Sequence, residues 1–293
     1  MTTRTTCICG KHLQLQPFST HFDTLVCTAC RTQHFAPAKG APVREFQYTD
    51  TNDKYSERSY LFGQQFRWSH EQLLSQEWQG RRVLEIGCFN GFFIAALARK
   101  GADVHGFDVN ADAVRVGREQ FGLDGRIFDN MHDASECGPF DDVICIDVVE
   151  HLDQPESFVA EMRQLLKPGG RIIVAGPVVE RRFHDKSDYP PHHKWWFSRK
   201  GLRDLLNQSG YHVQETHTQH DGLLMLRNAL GKWASGKRDR EFYGDVQVAA
   251  PDLSGPIRAK LYSAASAIGR GVFRSLGIVY CSAIIEAVVA TKP

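Results

Sequence analysis

The sequence predicts an α/β fold built on a parallel sheet, and three observations carry that expectation. From residue 82 to residue 217, short apolar runs alternate with stretches of helical periodicity. Strands interleaved with helices of about 10–15 residues imply a parallel sheet with right-handed crossovers. One run, Val83-Leu84-Glu85-Ile86, passes into a turn marked by Gly87 and Gly91 and then into a helix-forming stretch. A last apolar run, Tyr280–Thr291, reads as a C-terminal strand.

Taken in order, Arg82–Ile86 reads as a strand and Phe92–Arg99 as a helix. Asp103–Asp108 and Ala111–Gln120 repeat the pair, and Arg126–Asp129 is a short strand. Asp142–Asp147, DVICID, has the continuous apolar centre of a strand buried on both faces. Glu156–Leu166 is a helix stopped by Lys167-Pro168-Gly169-Gly170, and Arg171–Ala175 is the next strand. Ser198 offers an N-cap for a helix to Gln208 that closes near Gly210, ahead of a strand at Tyr211–His217. With Tyr280–Thr291 the strands number seven. Two apolar-periodic stretches, Leu223–Trp233 and Ile257–Leu276, precede that last strand. A structureless loop of that length is rare, so a helical insertion at about residues 220–278 is expected.

Ahead of the sheet lie a cysteine-rich segment at 1–40 and a linker with N-terminal helices at 41–79; the sheet domain takes 80–293. The Pro/Ala/Gly stretch Ala36–Pro42 reads as the start of the linker. Tyr60, Leu61, Phe66, Leu73, Leu74 and Trp78 suggest one or two amphipathic helices from Asp53 to Trp78.

The 293 residues carry a formal net charge of +1, from 35 basic and 34 acidic residues mixed along the chain. Proteins that wrap nucleic acid usually show a basic surplus or stripe, so this balance argues against a nucleic-acid partner. No apolar run reaches the roughly 18 residues of a membrane span. The first ten residues, MTTRTTCICG, lack the apolar core of a secretory leader. The expectation is a cytoplasmic protein with no membrane span.

Four of the eight cysteines stand in the first 30 residues, as Cys7-x-Cys9 and Cys27-x-x-Cys30. Four thiolates suit a tetrahedral structural zinc, and cytosolic thiols seldom form disulfides. C-x-C is the less usual half, so His12 or His34 is an alternative to Cys7 as fourth ligand. Such a zinc-ribbon-like knuckle folds around its metal. It is expected to dock on the sheet domain, to contact a protein partner or to help frame a substrate.

Gly87 and Gly91 let the backbone turn tightly and approach a ligand, and the helix behind them presents free N–H groups. The spacing is not the dinucleotide fingerprint, which wants a third spaced glycine. Asp108 ends the second strand, placed to accept hydrogen bonds from ribose hydroxyls; it also reads as a helix N-terminal acid. Asp129 ends the third strand, either as an acceptor for an adenine amino group or as half of a surface turn with Asn130.

The run from Val83 to Pro177 resembles the class I S-adenosylmethionine (SAM) dependent methyltransferases. It is most similar to the small-molecule branch that includes ubiquinone-biosynthesis O-methyltransferases and many sugar and natural-product enzymes. Their first motif, roughly V-L-[DE]-[IV]-G-C-G-x-G, is matched by Val83 to Gly91. Their E-H-[LVI]-x-x-P motif is matched by Glu150-His151-Leu152-Asp153-Gln154-Pro155, and L-K-P-G-G by Leu166 to Gly170. A later histidine–phenylalanine–leucine pattern runs from His193 to Tyr211, so the resemblance covers about residues 80–218.

The resemblance implies a Rossmann-like sheet whose last strand is antiparallel, with SAM as cofactor. It implies that Glu85 helps hold the methionine end and Asp108 the ribose. Gly87, Cys88, Phe89, Gly91, Val109, Asp129, Asn130 and Asp147 complete the expected cofactor site. Phe89 departs from the pattern, which usually has glycine there.

The expected activity is methylation of a small molecule, on oxygen of a sugar, glycan precursor or aromatic metabolite. An RNA base methyltransferase and a non-catalytic SAM-binding scaffold are the alternatives. An oxygen nucleophile needs a proton acceptor, and His151 and His193 are the candidate catalytic bases. The loop from Arg181 to Phe197 carries His184, Tyr189, His192, Trp195 and Trp196, expected to line the acceptor pocket. Glu150, His151 and a loop histidine are also a candidate metal set.

Overall fold

The computed structural model describes residues 4–19, 21–39, 67–179, 188–218 and 282–289. The expected helical insertion, His184 and the linker before residue 67 lie outside the described residues.

The central sheet has seven strands. In chain order they are β4 (Arg82–Ile86), β5 (Asp103–Phe107), β6 (Ile127–Phe128), β7 (Phe140–Ile146), β8 (Leu166–Pro177), β10 (Tyr211–Thr218) and β11 (Ser282–Val289). Across the sheet they run β10-β11-β8-β7-β4-β5-β6. The pairs of β4 with β5 and β7, of β5 with β6 and of β7 with β8 are parallel. β11 slots in antiparallel between β8 and β10, as the resemblance implied.

Alternate residues explain why these runs are apolar throughout. Leu84, Ile86, Val143, Cys145, Ile172, Val174 and Ile285 enter one buried cluster. Val83, Val104, Ile144, Ile173, Ala175 and Ile284 enter another. β4, β7, β8 and β11 therefore bury both faces under helices. The second face is covered by α1 (Trp68–Leu74), α2 (Phe92–Ala98) and α3 (Ala111–Phe121), through Leu73, Phe93, Ile94, Leu97 and Val114. The first is covered by α5 (Pro155–Met162) and α6 (Arg199–Gln208), through Val159, Met162, Leu202, Leu205 and Leu206. Each such side chain contributes about 1.5–3 kcal/mol on burial. Asp142, fully buried near the start of β7, pairs with Arg81 and Arg171, and Arg171 also holds Glu286 of β11 at 2.6 Å. This network ties β7, β8 and β11 to Arg81, just ahead of β4, at the end of the sheet opposite the glycine turn.

Three local expectations change. The Lys167–Gly170 turn lies within β8, because Leu166 already pairs with Phe140 and a register shift absorbs the glycines. Ala36 and Pro37 belong to a strand, β3 (Gln33–Pro37), rather than to a linker, because they pair with Asp23 and Phe22. A short helix, α4 (Met131–Glu136), was unforeseen; Asn130 caps it by accepting from the Asp133 N–H at 2.9 Å.

The cysteine segment forms β1 (Leu13–Pro17), β2 (Phe22–Cys27) and β3 (Gln33–Pro37), paired antiparallel. A fourth strand joins from far along the chain. β9 (Trp195–Trp196) pairs with β3, His34 opposite Trp195 and Gln33 opposite Trp196.

Candidate functional site

A cavity of about 500 Å³ opens where β4, β5 and β7 end, as expected for ligand sites of parallel sheets. Its floor is the glycine turn. Gly87 sits at φ 77°, and a Cβ there would stand 2.5 Å from a Val148 methyl. Its N–H and that of Cys88 donate to the Phe107 carbonyl at 2.8 and 3.0 Å, fixing the turn to the end of β5. Gly91 caps α2 at φ 72°, where an added Cβ would strike Leu123 at 2.4 Å; its part is the turn, since it does not line the cavity.

Phe89 holds φ 50°, a region that L side chains rarely adopt. Its ring packs against Ala113 and Val116 of α3. Its N–H donates to Asp108 Oδ2 at 2.7 Å, and the Asn110 N–H donates to Asp108 Oδ1 at 2.9 Å. Asn110, not Asp108, caps α3, accepting from the Ala113 N–H. Each Asp108 oxygen thus keeps a lone pair for a ligand hydroxyl. Burial pushes the Asp108 pKa up, while the two N–H donors pull it down.

Glu85 is the sharpest feature of the cavity. It is 3% exposed, and its Oε2 has no hydrogen-bond partner among the described residues. Burial, with the charge of Asp108 nearby, pushes its pKa well above the ordinary carboxylate range. A buried carboxylate with an unused acceptor facing a cavity suits a ligand that brings a cation or donor.

Asp147, at φ 53°, and Val109 also line the cavity, and Arg67 reaches across to pair with Asp147. Asp129 is exposed, Asn130 is the cap of α4, and neither lines the cavity.

The histidines gather around the turn after β7. His151 ends the 3-10 turn Val149–His151, and its Nδ1 lies 2.7 Å from the His192 carbonyl. A carbonyl only accepts, so Nδ1 carries the hydrogen and Nε2 keeps the lone pair. Burial pushes the His151 pKa down, which favours this neutral ring. His193 meets His151 edge to face at 4.7 Å. One ligand atom each from Glu150, His151 and His193 lies within 4.8 Å of the others, a spacing that suits a cation.

The loop residues divide. His192 lines the cavity together with His151. Tyr189, Trp195 and Trp196 do not, contrary to expectation. The pairing of β9 with β3 turns them toward the knuckle. Trp195 is fully buried against His34 and donates its indole N–H to the Leu152 carbonyl. Trp196 packs on Phe18, Phe35 and Tyr189. The cavity instead gains residues that sequence reasoning passed over: Arg67 and His70 from α1, Phe158 of α5, and Asp153 and Lys194. Burial pushes the His70 pKa down to about 4.

The four knuckle cysteines come together, their sulfurs within 4.8 Å of one another, with neither His12 nor His34 in the group. Cys7 and Cys30 stand 3.4 Å apart, as do Cys9 and Cys27. That is far beyond a disulfide bond. It approaches the roughly 3.8 Å between sulfurs that share a tetrahedral zinc at about 2.3 Å. Hydrogen bonding with Cys7 pulls the Cys30 pKa down, against burial, which pushes it up. The donor set fits a zinc ion.

A methyltransferase-domain family model matches residues 58–216. Over 110 residues the chain is 36% identical to the ubiquinone biosynthesis O-methyltransferase of Aromatoleum aromaticum, covering 36% of this chain and 46% of that protein. The protein of the same name from Xylella fastidiosa strain 9a5c is 37% identical over 103 residues, covering 33% and 42%. The chain thus spans less than half the length of these curated relatives. A SAM-dependent methyltransferase from Archaeoglobus fulgidus aligns with a TM-score of 0.48 at 18% identity, over 79% of this chain and 100% of that one.

Proposed function

Because the chain belongs to the SAM-dependent methyltransferases of the Rossmann-like class, we propose that it transfers the SAM methyl group to a hydroxyl oxygen of a small aromatic acceptor. The observation that carries this reading is a single cavity that joins Glu85 and Asp108 to His151. Bound SAM supplies an electrophilic methyl group on a sulfonium.

Glu85 offers Oε2 to the ammonium of the methionine end, and Asp108 offers its remaining lone pairs to the ribose hydroxyls. Gly87 leaves room for the backbone to approach. On the acceptor side, His151 Nε2 takes the hydroxyl proton, and the buried Glu150 carboxylate stabilises the imidazolium that results. His193, against His151, helps hold the ring. Similarity to the ubiquinone biosynthesis O-methyltransferases supports oxygen as the methylated atom. Phe92, Phe158 and Leu152 in the lining favour an aromatic ring over a sugar. The four knuckle cysteines hold a structural zinc.

Calorimetry with S-adenosylhomocysteine tests the cofactor end. Asp108→Ala is expected to weaken binding by about tenfold or more, the loss of hydrogen bonds to a charged group. A folded variant that binds as tightly as the wild type overturns the ribose assignment. Mass spectrometry after incubation with SAM and separate pools of phenolic acids and nucleotide sugars tests the acceptor. Methylation of the sugar pool alone overturns the aromatic reading.

A further inference from the structure

We propose that the cysteine knuckle is the frame of the acceptor site, with Thr32 as the positioning residue that links the cysteine group to the loop at residues 188–197. The proposal rests on the cavity being the SAM and acceptor site.

The knuckle shares its core with the sheet domain. Cys7, Ile8, Cys27 and Cys30 lie in the same buried cluster as Leu84, Ile86, Trp195 and Leu202. Its sheet is completed by β9, and the Phe35 N–H donates to the Lys194 carbonyl at 2.9 Å. Arg4 lies over the Trp195 ring at 4.6 Å and pairs with Glu156 of α5.

Thr32 is fully buried at the centre of this junction. Its carbonyl accepts from the Cys27 N–H at 3.0 Å, within the turn that carries Cys30. Its hydroxyl oxygen lies 3.3 Å from Ser198 Oγ and accepts from the Ser198 N–H at 3.2 Å. Ser198 caps α6 by accepting from the Gly201 N–H. Gly201 packs so closely on Thr32 that a Cβ there would stand 1.9 Å from its hydroxyl. Thr32 therefore joins the cysteine turn, through its carbonyl, to the helix that ends the loop, through its hydroxyl.

The other edge of the loop is the acceptor machinery. Lys194 N–H donates to the Glu150 carbonyl at 2.9 Å, and the Trp195 indole donates to the Leu152 carbonyl at 2.9 Å. The His192 carbonyl sets the tautomer of His151. The loop is thus held between the knuckle on one side and the Glu150–Leu152 turn on the other. Its register fixes two cavity-lining residues, His192 and Lys194. None of the hydrogen bonds named here runs from the knuckle to β4 or β5, which build the cofactor end.

The test uses the full chain. Thr32→Val removes the hydroxyl and keeps the shape; Thr32→Ser restores the hydroxyl. Hydrogen exchange by mass spectrometry is expected to show residues 188–198 exchanging about tenfold faster in Thr32→Val. Residues 82–92 are expected to keep their protection and S-adenosylhomocysteine its affinity, with Thr32→Ser close to wild type. Stripping metal with a mercurial and chelator should loosen the same segment, and zinc should restore it. With 3,4-dihydroxybenzoate as acceptor probe, KM should rise by about fivefold or more in Thr32→Val with kcat changed less.

Unchanged protection of 188–198 in Thr32→Val overturns the proposal. So does an equal loss of protection at 82–92, which marks general destabilisation. Zinc-free native protein whose Thr32→Val variant still loosens the loop supports the frame and removes the zinc reading. A protein that transfers no methyl group fails the methyltransferase reading alone, since exchange and cofactor affinity decide the frame.

Discussion

The carboxylate of Asp108 holds the backbone of Phe89: Oδ2 accepts from the Phe89 N–H at 2.7 Å, and Phe89 sits at φ 50°. A left-handed conformation costs a non-glycine residue about 1–2 kcal/mol. Here that cost is offset by the hydrogen bond and by packing on Ala113 and Val116. Phe89→Ala loses the packing and keeps the strain, whereas Phe89→Gly loses both. The glycine variant is therefore expected to be more stable than the alanine variant by about 1 kcal/mol, reversing the order found in helices. Urea denaturation of the two variants decides it, and an alanine variant that proves the more stable removes the strain account.

Glu85 ties stability to pH through its environment. Its folded pKa is raised by burial and by Asp108. The stability it contributes is present below its unfolded pKa of about 4.3 and is lost as pH rises through the folded value. Glu85→Gln imitates the protonated acid. The ligand-free variant is expected to match wild type near pH 4 and to exceed its stability at pH 8. S-adenosylhomocysteine should bind it more weakly. Melting curves from pH 4 to 8 check the first part; a variant less stable than wild type at pH 8 contradicts it.

The sulfur geometry predicts one zinc per chain. Elemental analysis of protein prepared without chelator should find it, and Cys27→Ser should lose it. Because such a site folds around its metal, removal is expected to destabilise the knuckle sheet. Retained zinc in Cys27→Ser shifts the ligand set, and protein without zinc ends this reading.

How far the sequence carried depends on the range of each interaction. The strands were legible because β4, β7 and β8 bury both faces and read as apolar runs. The Ser198 cap was legible because capping is a contact over three residues. Trp195 and Trp196 were misread as cavity lining. Nothing local in WW announces a pairing with residues 33 and 34, far back in the chain. Arg67 and His70 escaped for the same reason: α1 meets the cavity only through tertiary packing on α2, where His70 touches Phe92 and Phe93. His105, in β5, shows the converse. It is buried with neither ring nitrogen hydrogen-bonded among the described residues, and no sequence pattern pointed to it.

His151 lines the cavity with Nδ1 on the His192 carbonyl, so Nε2 is the ring nitrogen that carries the lone pair. His151→Ala should lower turnover by on the order of 10²–10⁴-fold, with S-adenosylhomocysteine affinity nearly unchanged. His193→Ala, which removes the ring that packs on His151, should fall less far. The base works only when neutral, and burial lowers its pKa. The acid limb of kcat/KM should therefore fall below the ordinary histidine value of about 6.5, leaving the rate flat above pH 7. A limb above that value contradicts the burial argument, and full activity in both variants removes histidine base catalysis. A chelator separates the remaining choice. If activity collapses while the knuckle retains its zinc, then Glu150, His151 and His193 act as a cation cage. If activity survives, the lone pair on Nε2 carries the proton transfer.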